Sequence, residues 1–307
     1  MEKTASSPLP YHVPALLPEA IELLDIKPDG TYIDATFGGG GHSRAIIKLL
    51  GEKGHLYSFD RDMEAYQNRI EDERFTFVHG NFRHIENFMR FYGVEKVDGI
   101  LADFGVSFHH FDTPERGFSF RNEAPLDMRM NQKAEKTAAE LIAEADEARL
   151  TGIFRSYADL KKPNAVVKVI LNSKGNTPIE TTFQLADAVR PALDPRQEKK
   201  EMAQVFQALR IAVNHEADDL RLFLNATLKV LKPGGRLVTL TYHSMEDRMV
   251  KNFFKTGNIE GKEEKDFFGN LATKWKLLTR KPIEAGAREV EENPRSRSAR
   301  LRAAELL

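Results

Sequence analysis

A run of glycines follows an apolar, β-branched segment near the start of the chain. Residues 31–36 read TYIDAT, and Phe37, four glycines and His42 come next. Glycines between a strand and a helix let the backbone approach a ligand, and they present amide donors at the amino end of the helix. The pattern predicts a ligand-binding turn at this point of the chain. A tight turn without a ligand, or the turn of a dinucleotide-binding fold, would give a similar sequence.

Three features favour S-adenosyl-L-methionine over a dinucleotide. Asp34 lies four residues before Gly38, and this acid-x-x-x-Gly-x-Gly spacing resembles class I methyltransferases. Ser43 stands where the third glycine of a dinucleotide turn would fall. The sequence LKPGG before a later strand also resembles the late hairpin of a methyltransferase sheet.

Two residues after the next predicted strands extend this cofactor site. Asp60 ends the second strand, where a carboxylate can accept hydrogen bonds from both ribose hydroxyls. The alternative for Asp60 is a helix N-cap, a role that Asp62 could also fill. Phe82 follows the third strand and could pack on the adenine face, or it could be an ordinary core residue.

Asp103 ends the fourth predicted strand, in the sequence Asp-Phe-Gly-Val-Ser. Ligands of open α/β sheets lie at the carboxyl ends of the strands, so Asp103 is predicted to lie near the methyl donor. Amino methyltransferases commonly have an acid or amide, two prolines and an aromatic residue here, and this chain departs from that pattern. Two roles are open for Asp103: it takes part in catalysis, or it contacts only the cofactor.

The sequence HSMEDR follows the strand after LKPGG and is also predicted to lie at the ligand edge. His243 and Asp247 are candidate catalytic or substrate-contacting residues, and helix capping is the alternative. A serine hydrolase is disfavoured because no nucleophile elbow surrounds Ser244. His109 and His110 have no further partner at metal-ligand spacing, so no metal site is predicted.

Basic residues are concentrated near the carboxyl end of the sequence. The formal net charge is −1, so any surface that binds nucleic acid must be local. The stretch NPRSRSARLR contains four arginines and no acid, which makes it the candidate RNA contact: Arg295, Arg297, Arg300 and Arg302. Ser296 and Ser298 could add neutral phosphate donors. The alternative is an edge strand whose charges prevent aggregation.

Composition excludes several classes of protein. The 307 residues contain no cysteine, which rules out disulfides, thiolate metal sites and cysteine nucleophiles. No apolar run approaches the roughly 18 residues that a membrane span needs, and the first residues lack the apolar core of a signal peptide. We expect a cytoplasmic protein without a membrane partner.

Strands alternate with helices over the first hundred residues, which predicts βαβ units and a parallel sheet. Strands are predicted at 31–36, 55–60, 74–78 and 97–103. From about residue 131 to 205 the pattern is helical, and strands resume with 236–242, 273–279 and 298–306. An interrupted sheet predicts an α/β domain over residues 1–110 and 206–307, with a mainly helical domain of residues 111–205 inserted in it.

The order of the motifs resembles the RsmH (MraW) family over nearly the whole chain. The segments that carry the likeness are HVPALLPEAIELL, DATFGGGGHS, DGILADFGVS, RGFSF, PLDMRM, FQALRIAVN, LKPGGRL, HSMEDR and ENPRSRSARLR. RGFSF with PLDMRM, and HSMEDR, are highly specific, whereas the glycine turn and LKPGG are common to many methyltransferases.

The resemblance implies a class I, Rossmann-like methyltransferase with a seven-stranded sheet, whose inserted helical domain helps to bind substrate. It implies methylation of the N4 amine of a cytidine in the decoding region of bacterial 16S ribosomal RNA. The family's cofactor contacts fall on Gly40, Gly41, His42, Asp60, Phe82 and Asp103. Where the family usually has a glutamine that contacts the cofactor, this chain has His110, which would have to replace it.

Other departures fall outside the cofactor motifs. EMAQ stands in place of HPAT before FQALRI, and YADL in place of a Tyr-Gly-Glu-Glu stretch. The substrate is therefore expected to be 16S ribosomal RNA or the small ribosomal subunit, and not DNA. The alternatives are a DNA or small-molecule N-methyltransferase, and a non-catalytic RNA-binding assembly factor. The sequence does not fix the oligomeric state, and a homodimer is one option.

Overall fold

The computed structural model describes residues 14–105, 114–131, 136–263 and 273–307. The chain divides into two compact units. Unit 1 comprises Met1–Gly105 and Asp219–Leu307, and unit 2 comprises Val106–Asp218. Within the described ranges no helix is both long and apolar enough to cross a membrane.

Unit 1 is built on one sheet, in which the described residues form eight strands. They are β1 (Thr31–Asp34), β2 (His55–Asp60), β3 (Phe75–His79), β4 (Val97–Asp103), β5 (Leu231–Thr241), β6 (Trp275–Leu277), β7 (Ile283–Glu284) and β8 (Arg300–Leu306). The order β3-β2-β1-β4-β5-β8-β6 makes a seven-stranded path, and the two-residue β7 pairs with β8. Strands β1 to β5 are parallel and β8 is antiparallel to β5. The predicted α/β fold, with a seven-stranded and mainly parallel sheet, is confirmed.

The helices of the described residues are α1 (Leu17–Leu24), α2 (Gly41–Leu49), α3 (Ile85–Phe91), α4 (Ala138–Glu144), α5 (Glu147–Tyr157), α6 (Pro163–Asn176), α7 (Thr182–Val189), α8 (Glu198–Val213), α9 (Glu216–Val230), α10 (Ser244–Thr256) and α11 (Ala287–Glu292). A hydrophobic core joins α1 and α2 to the sheet, with Leu24, Ile46 and Leu101 buried in it. Between β2 and β3, Met63–Asn68 form a 3-10 helix.

Unit 2 contains α4 to α8 around a hydrophobic core of its own. The side chain of Asp146 accepts a hydrogen bond from the Arg149 amide and caps α5, which separates α5 from α4. Helix α8 contributes Met202, Val205 and Phe206 to the core of unit 2. The predicted boundary at residue 205 cuts through this helix, and the boundary of the compact unit lies 13 residues later, after Asp218.

Candidate active site

The parallel strands bring three acidic residues to one edge of the sheet. Asp34, Asp60 and Asp103 are the last residues of β1, β2 and β4. The strands β2, β1 and β4 are neighbours in the sheet, and parallel strands end at the same edge. This is the edge at which open α/β sheets bind ligands.

The turn after β1 is shaped by its glycines. Gly38 and Gly40 have φ angles of +50° and +74°, in the left-handed region that favours glycine. A Cβ atom on Gly40 would collide with the Arg44 guanidinium, and one on Gly41 would collide with the Pro14 ring. Gly40 and Gly41 are therefore required by the packing of the turn itself, which does not exclude their predicted role beside a ligand.

The Asp60 carboxylate is fixed by two backbone amides. The Gly38 N–H donates to Oδ2 and the Asp62 N–H donates to Oδ1, each at 2.8 Å. Asp62, and not Asp60, caps the 3-10 helix by accepting from the Glu64 N–H at 2.9 Å. Burial raises the pKa of the Asp60 carboxyl, although both amide hydrogen bonds oppose this. Each oxygen keeps a further lone pair with which it can accept a ligand hydroxyl.

Asp34 stabilises the turn through hydrogen bonds and has no atom exposed to solvent. The Ser43 hydroxyl donates to its Oδ2 at 2.6 Å, and the Thr36 N–H donates to its Oδ1 at 3.1 Å. The Ser43 bond ties β1 to α2. Burial raises the pKa of Asp34, and nearby His42 opposes the shift. The acid of the sequence motif is thus a structural support for the glycine turn.

His42 and Asp103 are neighbours at the ends of α2 and β4. The His42 Nδ1 atom lies 3.9 Å from Asp103 Oδ2. His42 is 5% exposed, and its buried Nε2 atom has no hydrogen-bond partner among the described residues. Buried polar atoms normally have a partner. The Nε2 atom therefore lacks, among the described residues, the partner that a buried polar atom normally has.

Tyr242 is a site residue that sequence reasoning missed. Its hydroxyl donates a hydrogen bond to Asp103, and burial first and Asp103 second raise the pKa of Tyr242. The Gly105 N–H also donates to Asp103 Oδ1, at 3.2 Å. A Cβ atom on Gly105 would lie 3.1 Å from the Tyr242 ring, so glycine allows this close approach. The pairing of β4 with β5 brings Tyr242 to Asp103, because it sets Asp103 opposite Leu240, two residues before Tyr242.

Phe82 lies in a cluster of three aromatic rings. Its ring centroid is 5.8 Å from that of Phe104 and 5.3 Å from that of Phe223, both edge-on. Phe82 is only half-buried, whereas Phe223 is fully buried. The cluster supports the core-packing alternative and leaves part of the Phe82 side chain accessible.

The HSMEDR segment begins α10 and has structural roles. The Glu246 carboxylate accepts from the N–H groups of Tyr242 and His243, at 2.9 and 3.2 Å, which caps the helix. Asp247 is 9% exposed and binds Arg302. This burial and the contact with Arg302 favour a structural role for Asp247 over the predicted catalytic one. His243 is half-buried at the N-cap of α10 and stays a prediction.

The carboxyl-terminal arginines occupy different environments. Arg302 is 7% exposed, so the prediction that it contacts RNA is not supported. The Arg300 side chain is 43% exposed and lies 3.5 Å from Asp247 and 3.6 Å from Glu284. Arg295 and Arg297 lie in a 3-10 helix, Pro294–Ser298, in which Arg297 is exposed. Ser296 is fully buried and donates to the Asn293 carbonyl, so it is no phosphate donor.

One predicted cofactor contact lies outside the described residues. His109 and His110 belong to residues 106–113, so the replacement of the family's glutamine by His110 stays a prediction. Within the described residues no group of three histidine, aspartate or glutamate side chains is placed to hold a metal ion.

Comparison with known proteins places the chain in a family. A sequence profile of the MraW methylase family matches residues 10–307. A protein of Phocaeicola vulgatus named ribosomal RNA small subunit methyltransferase H is 56% identical over 295 residues, which cover 96% of this chain and 97% of that protein. A protein of the same name from Bacteroides thetaiotaomicron is 52% identical, with 97% and 98% covered.

Among solved structures, an rRNA methylase from Streptococcus thermophilus matches with 12% identity and a TM-score of 0.39, over 95% of this chain and 93% of that one. That structural likeness is too low to carry an inference. The sequence relationship is sufficient, because the family profile covers nearly the whole chain and the relatives are more than half identical to it. This protein belongs to the MraW methylase family.

Proposed function

We propose that this protein transfers a methyl group from S-adenosyl-L-methionine to the exocyclic N4 amine of a cytidine in the decoding region of bacterial 16S ribosomal RNA. Family membership supports the reaction, and relatives named ribosomal RNA small subunit methyltransferase H support the substrate. The observation that carries the proposal is the pair of His42 and Asp103, 3.9 Å apart at the ligand edge.

The residues at this edge fit the cofactor. The Asp60 carboxylate is held by two amides and retains acceptor capacity for ribose hydroxyls. The Nε2 atom of His42, which has no hydrogen-bond partner in the part of the chain that the structure describes, can bind a polar group of the ligand. Gly40 and Gly41 offer the backbone at the amino end of α2, and Phe82 offers an accessible ring surface for adenine. When bound, S-adenosyl-L-methionine supplies an activated methyl group.

Asp103 is the residue that we assign to the reacting amine. The N4 lone pair of cytosine is delocalised into the ring, which makes the amine a poor nucleophile. A carboxylate that accepts an amine hydrogen stabilises the positive charge that develops on nitrogen. The Tyr242 hydroxyl and the Gly105 N–H hold this carboxylate in place. Because the methyl group is already activated, the protein mainly aligns the two reactants.

Unit 2 and the 3-10 helix of Arg295 and Arg297 are the proposed substrate contacts. Unit 2 has its own core, as an independent binding module requires. Arg297 is exposed and is followed by exposed Ser298, so both can reach a phosphate. The proposed partner is 16S ribosomal RNA or the small ribosomal subunit.

The proposal is tested by incubating small-subunit RNA, assembled subunits, DNA and free cytidine with the protein and S-adenosyl-L-methionine. Mass spectrometry of the nucleosides should detect N4-methylcytidine from ribosomal RNA alone. Methylation of DNA or free cytidine instead would identify a different N-methyltransferase. Binding of RNA and cofactor without any methylated product would identify a non-catalytic assembly factor.

A further inference from the structure

A buried carboxylate in α9 holds the turn that contains Phe82. Asp219 is 4% exposed, and its carboxylate accepts from Asn81 Nδ2 at 2.6 Å and from Arg83 Nη1 at 2.9 Å. These two donors are the residues before and after Phe82. The Asn81 Oδ1 atom also accepts from the Arg83 N–H at 3.0 Å, which closes the turn.

The same helix also contacts the Phe82 ring. Phe223 lies one helical turn after Asp219, on the same face of α9, and its ring centroid is 5.3 Å from that of Phe82. Helix α9 therefore fixes this turn at two points, with a carboxylate on the residues that flank Phe82 and with an aromatic ring on Phe82 itself.

The charge on Asp219 is costly to bury unless it is paired and hydrogen-bonded. Both of its described partners belong to the Phe82 turn, 136 and 138 residues earlier in the chain. We propose that Asp219 is a positioning residue of the cofactor site, which sets the Phe82 ring for the adenine base and so determines cofactor affinity. This inference rests on the proposed function, because it takes Phe82 to face adenine.

The variant Asp219→Asn keeps the volume of the side chain but replaces one acceptor oxygen with a donor that faces Asn81 or Arg83. We expect the affinities for S-adenosylhomocysteine and for adenosine to fall by the same factor, about tenfold or 1.4 kcal/mol. The KM for the cofactor should rise while kcat at saturation stays near wild type. Arg83→Gln, which alters the more exposed partner, should give a smaller loss of the same kind even if Asp219→Asn folds poorly.

Asp98→Asn is the matched control. Like Asp219, Asp98 accepts two hydrogen bonds, here from the Thr31 backbone N–H and the Lys232 side chain, but it lies at the opposite end of β4 from Asp103. Its substitution removes the same charge and should leave both ligand affinities unchanged. An equal loss of affinity in Asp98→Asn would mean that general destabilisation, and not the Phe82 turn, is responsible, and it would overturn the inference.

A double-mutant cycle with Phe82→Ala separates this inference from the proposed function. If Asp219 acts through Phe82, Asp219→Asn should cause no further loss of affinity when Phe82 is already alanine. Additive losses would overturn the role of Asp219. If Phe82→Ala alone leaves adenosine affinity unchanged, the assignment of Phe82 to adenine fails, and the inference fails with it.

Discussion

The guanidinium of Arg302 in β8 donates two hydrogen bonds to the carboxylate of Asp247 in α10, from Nε to Oδ1 at 2.7 Å and from Nη2 to Oδ2 at 3.2 Å. Both side chains are almost completely buried. The sequence assigned these residues to separate functions, RNA binding for Arg302 and catalysis for Asp247. Their pairing instead fastens α10 to the sheet.

The variant Arg302→Met is expected to lower the free energy of unfolding by about 3 kcal/mol, because it leaves a buried carboxylate without its main partner. The loss should lie at the lower end of the usual range, since Arg300 is 3.5 Å from Asp247. Urea denaturation measures it. The double variant with Asp247→Leu should recover much of the loss, because both charges are then removed. A single variant as stable as wild type would contradict the importance of this pair.

The sequence predicted an element correctly where the residues of that element alone determine it. The apolar runs of β2 and β4 gave their observed bounds, because a buried parallel strand needs such a run. The partner of Arg302 could not be predicted, because it depends on the register between β5 and β8 and on the packing of α10. Tyr242 was missed for the same reason: β4 and β5 are neighbours in the sheet but are separated in the chain by unit 2.

Cofactor affinity should depend on pH through Asp60. Burial raises the pKa of this carboxyl above its ordinary value of 3.8, and ribose hydroxyls that donate to the ionised form lower the pKa in the complex. Affinity for S-adenosylhomocysteine should therefore rise as the pH increases from the pKa of Asp60 in the complex to its higher pKa in the free protein. Above the pKa of Asp60 in the free protein, the affinity should be constant. Calorimetry across this range measures the effect.

Asp60→Asn is the control for this pH dependence, because the adenine base titrates equally in both proteins. The variant should bind about 1–3 kcal/mol more weakly at neutral pH, since a hydroxyl loses its acceptor. The difference between the two proteins should shrink as the pH falls. A constant difference at every pH would remove the Asp60 carboxylate from the ribose site.

Asp103→Ala should lower the rate of methyl transfer more than it weakens RNA binding, because the carboxylate interacts with the amine most strongly as charge develops on nitrogen. Single-turnover kinetics with saturating cofactor and RNA measure the chemical step alone. Asp98→Asn, at the other end of β4, should keep the wild-type rate. A wild-type rate in Asp103→Ala would exclude Asp103 from the group that contacts the amine.

Replacing Val106–Asp218 with a short Gly/Ser linker should separate cofactor binding from RNA methylation. These bounds remove unit 2 with its complete core, whereas a cut at residue 205 would divide α8 and expose its apolar residues. The remaining protein also lacks His110, so it should bind S-adenosylhomocysteine more weakly than the full chain, and it should not methylate ribosomal RNA. Sustained methylation of RNA by this protein would show that unit 2 is not needed for the substrate.

The arginines of the carboxyl-terminal 3-10 helix should contribute to RNA affinity through phosphate contacts. Arg302 is buried and Arg300 lies close to two acidic residues, whereas Arg297 is exposed, so the 3-10 helix that carries Arg295 and Arg297 is the better candidate. Each lost phosphate contact lowers the slope of log affinity against log salt by ~0.7–0.9. Arg295→Ala with Arg297→Ala should therefore reduce the slope by one to two units, at unchanged cofactor affinity.

The matched control for this pair is Lys276→Ala with Arg288→Ala. Both side chains are exposed and lie in unit 1, and each pairs with a glutamate, Glu305 and Glu292. The control removes the same net charge, so it reports the general effect of charge on RNA binding, which should be small. If the two double variants have the same salt slope, the arginines act only as solvated charges beside the sheet, and the phosphate contacts must come from other residues.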